Sequence, residues 1–84
     1  MDTLHGMRTY VRVAELGSFA AVARQMDVAR SVITRQIAAL EARLGVKLIA
    51  RSTRSLSLTS AGASYLERCR EILRLVEAAE SQLA

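Results

Sequence analysis

The chain has 84 residues, half of them apolar (51%), with no proline, four glycines and a net charge of +4. That is enough for one small domain with a modest core, too apolar for a disordered tail, and poor in residues that break helices. No apolar run approaches the ~20 residues of a membrane span, the N-terminus lacks the apolar stretch of a secretory signal, and the single cysteine, Cys69, can make no internal disulfide, so a cytoplasmic protein is expected.

Asp2 or Thr3 can cap a first helix that runs to about Leu16. Leu4, Met7, Val11 and Ala14 form its main stripe with Tyr10 alongside, while Val13 and Leu16 lie on another side, so this helix should pack against two neighbours. Gly17 is a stop and Ser18 caps a short second helix, residues 19–26, with Phe19, Val22, Ala23 and Met26 facing inward and Arg24 and Gln25 outward. Asp27-Val28-Ala29 reads as a three-residue turn with Val28 tucked into the core.

A third helix, residues 30–44, follows at once. Ile33, Ile37, Leu40 and Leu44 recur at steps of four, three and four, and the opposite face carries Ser31, Thr34, Arg35, Ala38 and Ala42, with Arg30 at its start. Two helices joined by so short a turn make a helix-turn-helix, and a helix with hydrogen-bonding side chains on its first turns can enter a DNA major groove. A solvated face on an ordinary core helix would show the same stripe.

Gly45 ends this helix, and residues 48–51 and 55–58 read as two short strands around Ser52-Thr53-Arg54. With Lys47 and Arg51 beside it, this hairpin is a basic wing whose Arg54 can reach a phosphate or a narrow minor groove; a plain surface hairpin is the other reading. Thr59 caps a last helix, residues 60–83, in which Tyr65, Cys69, Ile72, Val76, Ala79 and Leu83 form a stripe and Leu66, Cys69, Leu73 and Val76 a neighbouring one. The combined stripe outruns so small a core. A second, identical chain would cover it, as would a further domain of the same protein.

The positive charge is local. Residues 24–54 hold seven basic side chains (Arg24, Arg30, Arg35, Arg43, Lys47, Arg51, Arg54) against Asp27 and Glu41. Such a patch suits a polyanionic partner. An acidic protein surface would serve as well as nucleic acid, in which case the long helix would be the working part of an interaction module. Three aromatics give no stacking platform for RNA. His5 is the only histidine and Cys69 lies in an apolar stripe, so no catalytic residue, metal site or cofactor can be assembled, and an enzyme is not expected.

In this order and spacing, several short pieces resemble the N-terminal DNA-binding domain of LysR-type transcriptional regulators: Phe19 after Gly17-Ser18, Ala23 and Met26, Thr34-Arg35-Gln36-Ile37, Leu40-Glu41, Leu44-Gly45-Val46, Leu48-Ile49-Ala50-Arg51, Leu58-Thr59 and Ala61-Gly62. The resemblance implies a mainly α, winged helix-turn-helix fold, with a three-helix core and two-stranded wing over residues 1–58 and a linker and dimerisation helix over residues 59–84. It implies sequence-specific binding of double-stranded DNA by a bacterial regulator, at an interrupted palindromic promoter site, as a homodimer in the cytoplasm at the nucleoid. Full-length members often form higher oligomers and carry an effector-binding domain; that domain is absent from this chain, so a small-molecule effector would act only through it. By resemblance, Arg30, Ser31, Val32, Thr34 and Arg35 face the major groove, Ser18, Arg51, Thr53 and Arg54 serve the wing and the DNA backbone, and Tyr65, Cys69, Ile72, Val76, Ala79 and Leu83 form the dimer face. The chain departs from the family pattern at four places. Ala29 stands where a capping serine is usual, Arg30-Ser31 where glutamine and proline are common, Ile49 where the wing has phenylalanine, and Ser60 where glutamate is common. Ser31 is a possible replacement cap, one residue late.

Overall fold

The computed structural model describes residues 2–51 and 55–83. Its elements are α1 (Thr3–Leu16), α2 (Phe19–Met26), α3 (Arg30–Leu44), β1 (Ile49–Arg51), β2 (Leu56–Leu58) and α4 (Ser60–Ser81). The expected winged helix-turn-helix is present. The first three helices have the predicted bounds, each strand starts one residue later than predicted, and α4 ends two residues earlier.

Local chemistry sets these bounds. Asp2, Ser18 and Thr59 accept hydrogen bonds from the backbone N–H groups of His5, Ala21 and Gly62, closing the N-termini of α1, α2 and α4. Gly17 and Gly45 end α1 and α3 in the left-handed conformation, at φ 66° and 72°. At the end of α2 that place is taken by Asp27, at φ 57°. Its N–H and that of Val28 both reach back to the Ala23 carbonyl, so the chain turns sharply and the Val28 side chain lies outside the core at 39% exposure. The expectation of a buried Val28 is thereby corrected.

Helices α1, α2 and α3 enclose Tyr10, Val13, Phe19, Val22, Ala23, Ile33, Ile37 and Leu40; Leu48 and Ile49 from the wing and Leu66 and Cys69 from α4 complete the core. Leu44, the last residue of the α3 stripe, falls beyond the core and is exposed. The strands pair antiparallel with Ile49 opposite Leu58, Ala50 opposite Ser57 and Arg51 opposite Leu56.

Helices α1 and α4 run side by side in the same direction. The Tyr10 hydroxyl donates to the Gly62 carbonyl at 2.8 Å, the Tyr10 and Tyr65 rings lie 5.6 Å apart, and farther along Arg70 pairs with Glu15 at 3.2 Å. Burial, with the nearby Cys69, Glu41 and Tyr65, pushes the Tyr10 phenol up to about 12, so it remains a donor to that carbonyl. Because α1 stops at Leu16, the last turns of α4 run on past the core, and the molecule is 45 Å long in its longest dimension.

One part-buried carboxylate ties α3 to the wing. Glu41 Oε2 accepts from the backbone N–H of Leu48 at 2.8 Å and of Ile49 at 3.2 Å, while Oε1 lies 3.8 Å from Lys47 Nζ. The carbonyl of Leu48 accepts from the Thr59 N–H, and the Thr59 hydroxyl donates to the Lys47 carbonyl. The segment between α3 and β1 is thus held from both sides. No helix among the described residues is long and apolar enough to cross a membrane.

Candidate nucleic-acid interface

The outer face of α3 is built by the inner one. Ile33, Ile37 and Leu40 are buried, which turns Arg30, Ser31 and Arg35 to the outside and leaves Val32 and Thr34 half-buried at the edge. The Thr34 hydroxyl donates to the Arg30 carbonyl at 3.2 Å, so its hydrogen is spent inside the helix and its oxygen remains an acceptor.

A cleft of about 280 Å³ beside the first turn of α3 brings together Ser18, Arg30 and Arg51, with Phe19 as part of its wall. The Arg51 guanidinium lies 4.6 Å from the centre of the Phe19 ring, a cation–π distance that fixes the side chain against the start of α2. Among the described residues Arg30, Arg35 and Arg51 pair with no carboxylate, whereas Lys47 is engaged with Glu41. The cleft therefore presents two uncompensated guanidinium groups next to the recognition helix, one of them stacked in place. That arrangement suits phosphate or the edge of a guanine. Thr53 and Arg54, expected at the wing tip, lie outside the described residues.

A family model described as "Bacterial regulatory helix-turn-helix protein, lysR family" matches residues 4–63. The chain belongs to the LysR family. It is 43% identical over 83 residues to the HTH-type transcriptional activator AaeR of Escherichia coli (strain K12), covering 99% of this chain and 27% of that protein. Two solved structures superpose on it closely. One is the CbnR DNA-binding domain in complex with DNA, with TM-score 0.88 and 42% identity, covering 94% of this chain and 91% of that one. The other is the BenM DNA-binding domain on catB site 1 DNA, with TM-score 0.90 and 30% identity, covering 95% and 90% respectively. The chain spans about a quarter of the length of the curated relatives it matches, 27% for AaeR. What it contains is the helix-turn-helix, DNA-binding domain of a LysR-type regulator; the matched relatives are named as regulators of transcription, not as enzymes.

Within this LysR domain the uncapped start of the recognition helix is confirmed. Ala29 has the extended backbone of a cap (φ −69°, ψ 148°) and its side chain makes no capping bond. We expect Ala29→Ser to raise stability by about 1 kcal/mol, because the new hydroxyl can accept from an orphaned N–H of the first turn. A thermal melt should move up by roughly 4–8 °C for a domain of this size. An unchanged melt would mean that these donors are already satisfied by solvent at no cost.

The expected dimer face divides in two. Cys69 is fully buried in the protomer's own core, and Tyr65 is half-buried with its ring against Tyr10, so Cys69 is closed to a partner. Burial also raises the Cys69 thiol above its ordinary pKa. Farther along, Ile72, Ala79 and Leu83 are exposed and Val76 half-buried, and the structure adds Leu75, which is 70% exposed and lies off both predicted stripes. Leu75 falls on the side of the helix that also carries Arg68, rotated from the stripe through Cys69.

Proposed function

We propose that this chain reads double-stranded DNA as one half of a homodimer, with α3 in the major groove and the wing against the flanking backbone. The observation that carries the reading is the cleft that gathers Ser18, Arg30 and the Phe19-stacked Arg51 beside an exposed, polar first turn of α3. In this reading Arg30 would meet guanine, Ser31, Val32, Thr34 and Arg35 would contact neighbouring bases or phosphates, and Ser18, Arg51, Thr53 and Arg54 would hold the backbone or the minor groove. Relatives solved with DNA support it. The exposed far half of α4 would join two copies, and two recognition helices on one side of a duplex then sit about 34–36 Å apart, which calls for an interrupted inverted repeat. In the complete regulator, which would work in the cytoplasm at the nucleoid, a further domain would bind a small-molecule effector and support higher oligomers.

Selection of bound fragments from a randomised duplex library tests this. Wild-type chain should enrich a two-fold-related pair of half-sites. Arg30→Ala should weaken binding to the enriched site by about 1–3 kcal/mol and relax the preference at a single base pair of each half. Affinity should also fall steeply as salt rises from 50 to 200 mM, through release of counterions. Enrichment of no motif, or an Arg30→Ala profile identical to that of the wild type, would remove the assignment.

A further inference from the structure

Helices α1, α2 and α4 each begin with a side chain that accepts a backbone N–H, from Asp2, Ser18 and Thr59 respectively. The recognition helix α3 begins at Ala29 without one. We propose that its first turn, residues 29–32, is open for much of the time in the free chain and is closed by the DNA it reads. The proposal rests on the DNA-reading assignment above and adds to it a coupled folding step.

The chain is held on both sides of this turn. Before it, the N–H of Asp27 bonds the Arg24 carbonyl at 3.3 Å and that of Val28 the Ala23 carbonyl at 3.0 Å. After it, Ile33 is fully buried. Between these anchors Ala29, Arg30 and Ser31 are exposed and Val32 is half-buried. A short stretch with little buried surface and solvent-facing backbone opens at low cost while the core stays shut.

The devices that close a helix start are missing from this stretch. Ala29 has no side-chain oxygen, and the first turn holds no acidic residue. Three residues after the cap, where a glutamate or glutamine can reach back, stands Val32. Arg30 places a positive charge at the positive end of the helix. The Val32 N–H turns back to the Ala29 carbonyl at 3.0 Å, a three-residue bond of poorer geometry than the α-helical one. The Thr34 hydroxyl draws on the Arg30 carbonyl as well, in competition with the backbone. The missing cap alone shifts the closing equilibrium about fivefold, and the misplaced charge about twofold more.

The turn that is so loosely held carries Arg30, Ser31 and Val32, and Thr34 follows directly. These side chains take up a fixed arrangement only when the turn is closed. In a major groove Arg30 and the helix end face phosphates and guanine edges, so the charge that opposes closure in water supports it there. A loose encounter held through Arg35 and Arg51, both outside the turn, does not require closure. The ordering cost therefore falls on sequence-specific binding, whose affinity is lowered by the fraction of chains in which the turn is open.

Hydrogen exchange of the free chain and binding to two duplexes test the proposal together. In an α-helix the N–H groups of Ile33, Thr34 and Arg35 bond the carbonyls of Ala29, Arg30 and Ser31, so their exchange reports the turn. Their protection should be about tenfold below that of Ala63, Ser64 and Tyr65, which hold the same places in the capped α4, and should rise about two- to fivefold in Ala29→Ser. On a duplex of the sequence that wild type enriches, Ala29→Ser should bind about two- to fivefold more tightly with the same base preferences, and on a scrambled duplex its affinity should stay within about 1.5-fold. Equal protection at the two helix starts, or unchanged affinity for the enriched duplex, overturns the proposal and leaves the DNA reading standing. Weaker binding also overturns it, since a DNA phosphate would then be the cap with which the serine competes. Equal tightening on both duplexes means that the new hydroxyl grips the DNA backbone itself, and overturns it as well. A wild-type chain that enriches no sequence overturns the DNA reading and the proposal together.

Discussion

Glu41→Ala should cost the domain about 3 kcal/mol or more, among the largest losses available from a side chain that touches no ligand. The reason lies in what is left behind. The carboxylate is only 12% exposed and accepts two backbone N–H groups, those of Leu48 and Ile49. Without it both donors remain part-buried with no partner nearby, and each such orphan costs about 1–3 kcal/mol. For a domain of this size that is a fall in melting temperature of about 15 °C. Glu41→Gln keeps one acceptor oxygen at the same place and should lose roughly half as much, since a neutral acceptor makes weaker bonds than a charged one. If Glu41→Ala melts within 2–3 °C of wild type by calorimetry, water is reaching those donors and the carboxylate is not what holds the segment.

Gly62→Ala is the second large loss, and its sign is opposite to the usual one. In a helix interior, glycine to alanine ordinarily gains about 1 kcal/mol. Here a Cβ at position 62 would run into the Leu48 carbonyl and lie 2.8 Å from the Tyr10 hydroxyl. Both partners are fixed, the carbonyl by its bond from the Thr59 N–H and the hydroxyl by its bond to the Gly62 carbonyl. Relief requires α4 to move off β1, and we expect at least about 3 kcal/mol lost in urea unfolding, the range of overpacked cores. Glu41 and Gly62 act on the same residue, Leu48, so the double variant should lose less than the sum of the singles, by about 0.5–3 kcal/mol. Strict additivity would show that the two ends of the Leu48 peptide relax independently.

Much of this fold could be read from single residues. The bounds of helices α1, α2 and α3 are legible because each carries its own signal: Ser18 after Gly17, the Asp27 turn, and Gly45. The inward stripe of α3 needed only Ile33, Ile37 and Leu40. What could not be read was anything decided by a distant part of the chain. Two apolar registers overlap on α4, both through Cys69 and neither through Leu75; how far the core reaches along them, and that Leu75 stands outside it, is decided by the packing of α4 on α1. Val28 looked like a core residue by type, yet the left-handed Asp27 turns it out. The role of Glu41 has no sequence signal, because its partners are backbone donors seven and eight residues on and carry no signature of their own. The same holds for the cleft beside the first turn of α3. Ser18, Arg30 and Arg51 were each named from sequence, but that they meet, with Phe19 under Arg51, follows only from the packing of α2, α3 and the wing.

That aromatic support has a bearing on affinity that charge alone does not reveal. A long cationic side chain in water samples many conformations, and clamping it onto an anion gives most of them up. Arg51 has surrendered part of that freedom during folding, by resting its guanidinium over the ring of Phe19, 4.6 Å from the ring centre. In the proposed DNA complex its encounter with a phosphate would carry a smaller entropic penalty, and the wing would arrive at the duplex with one of its grips already set.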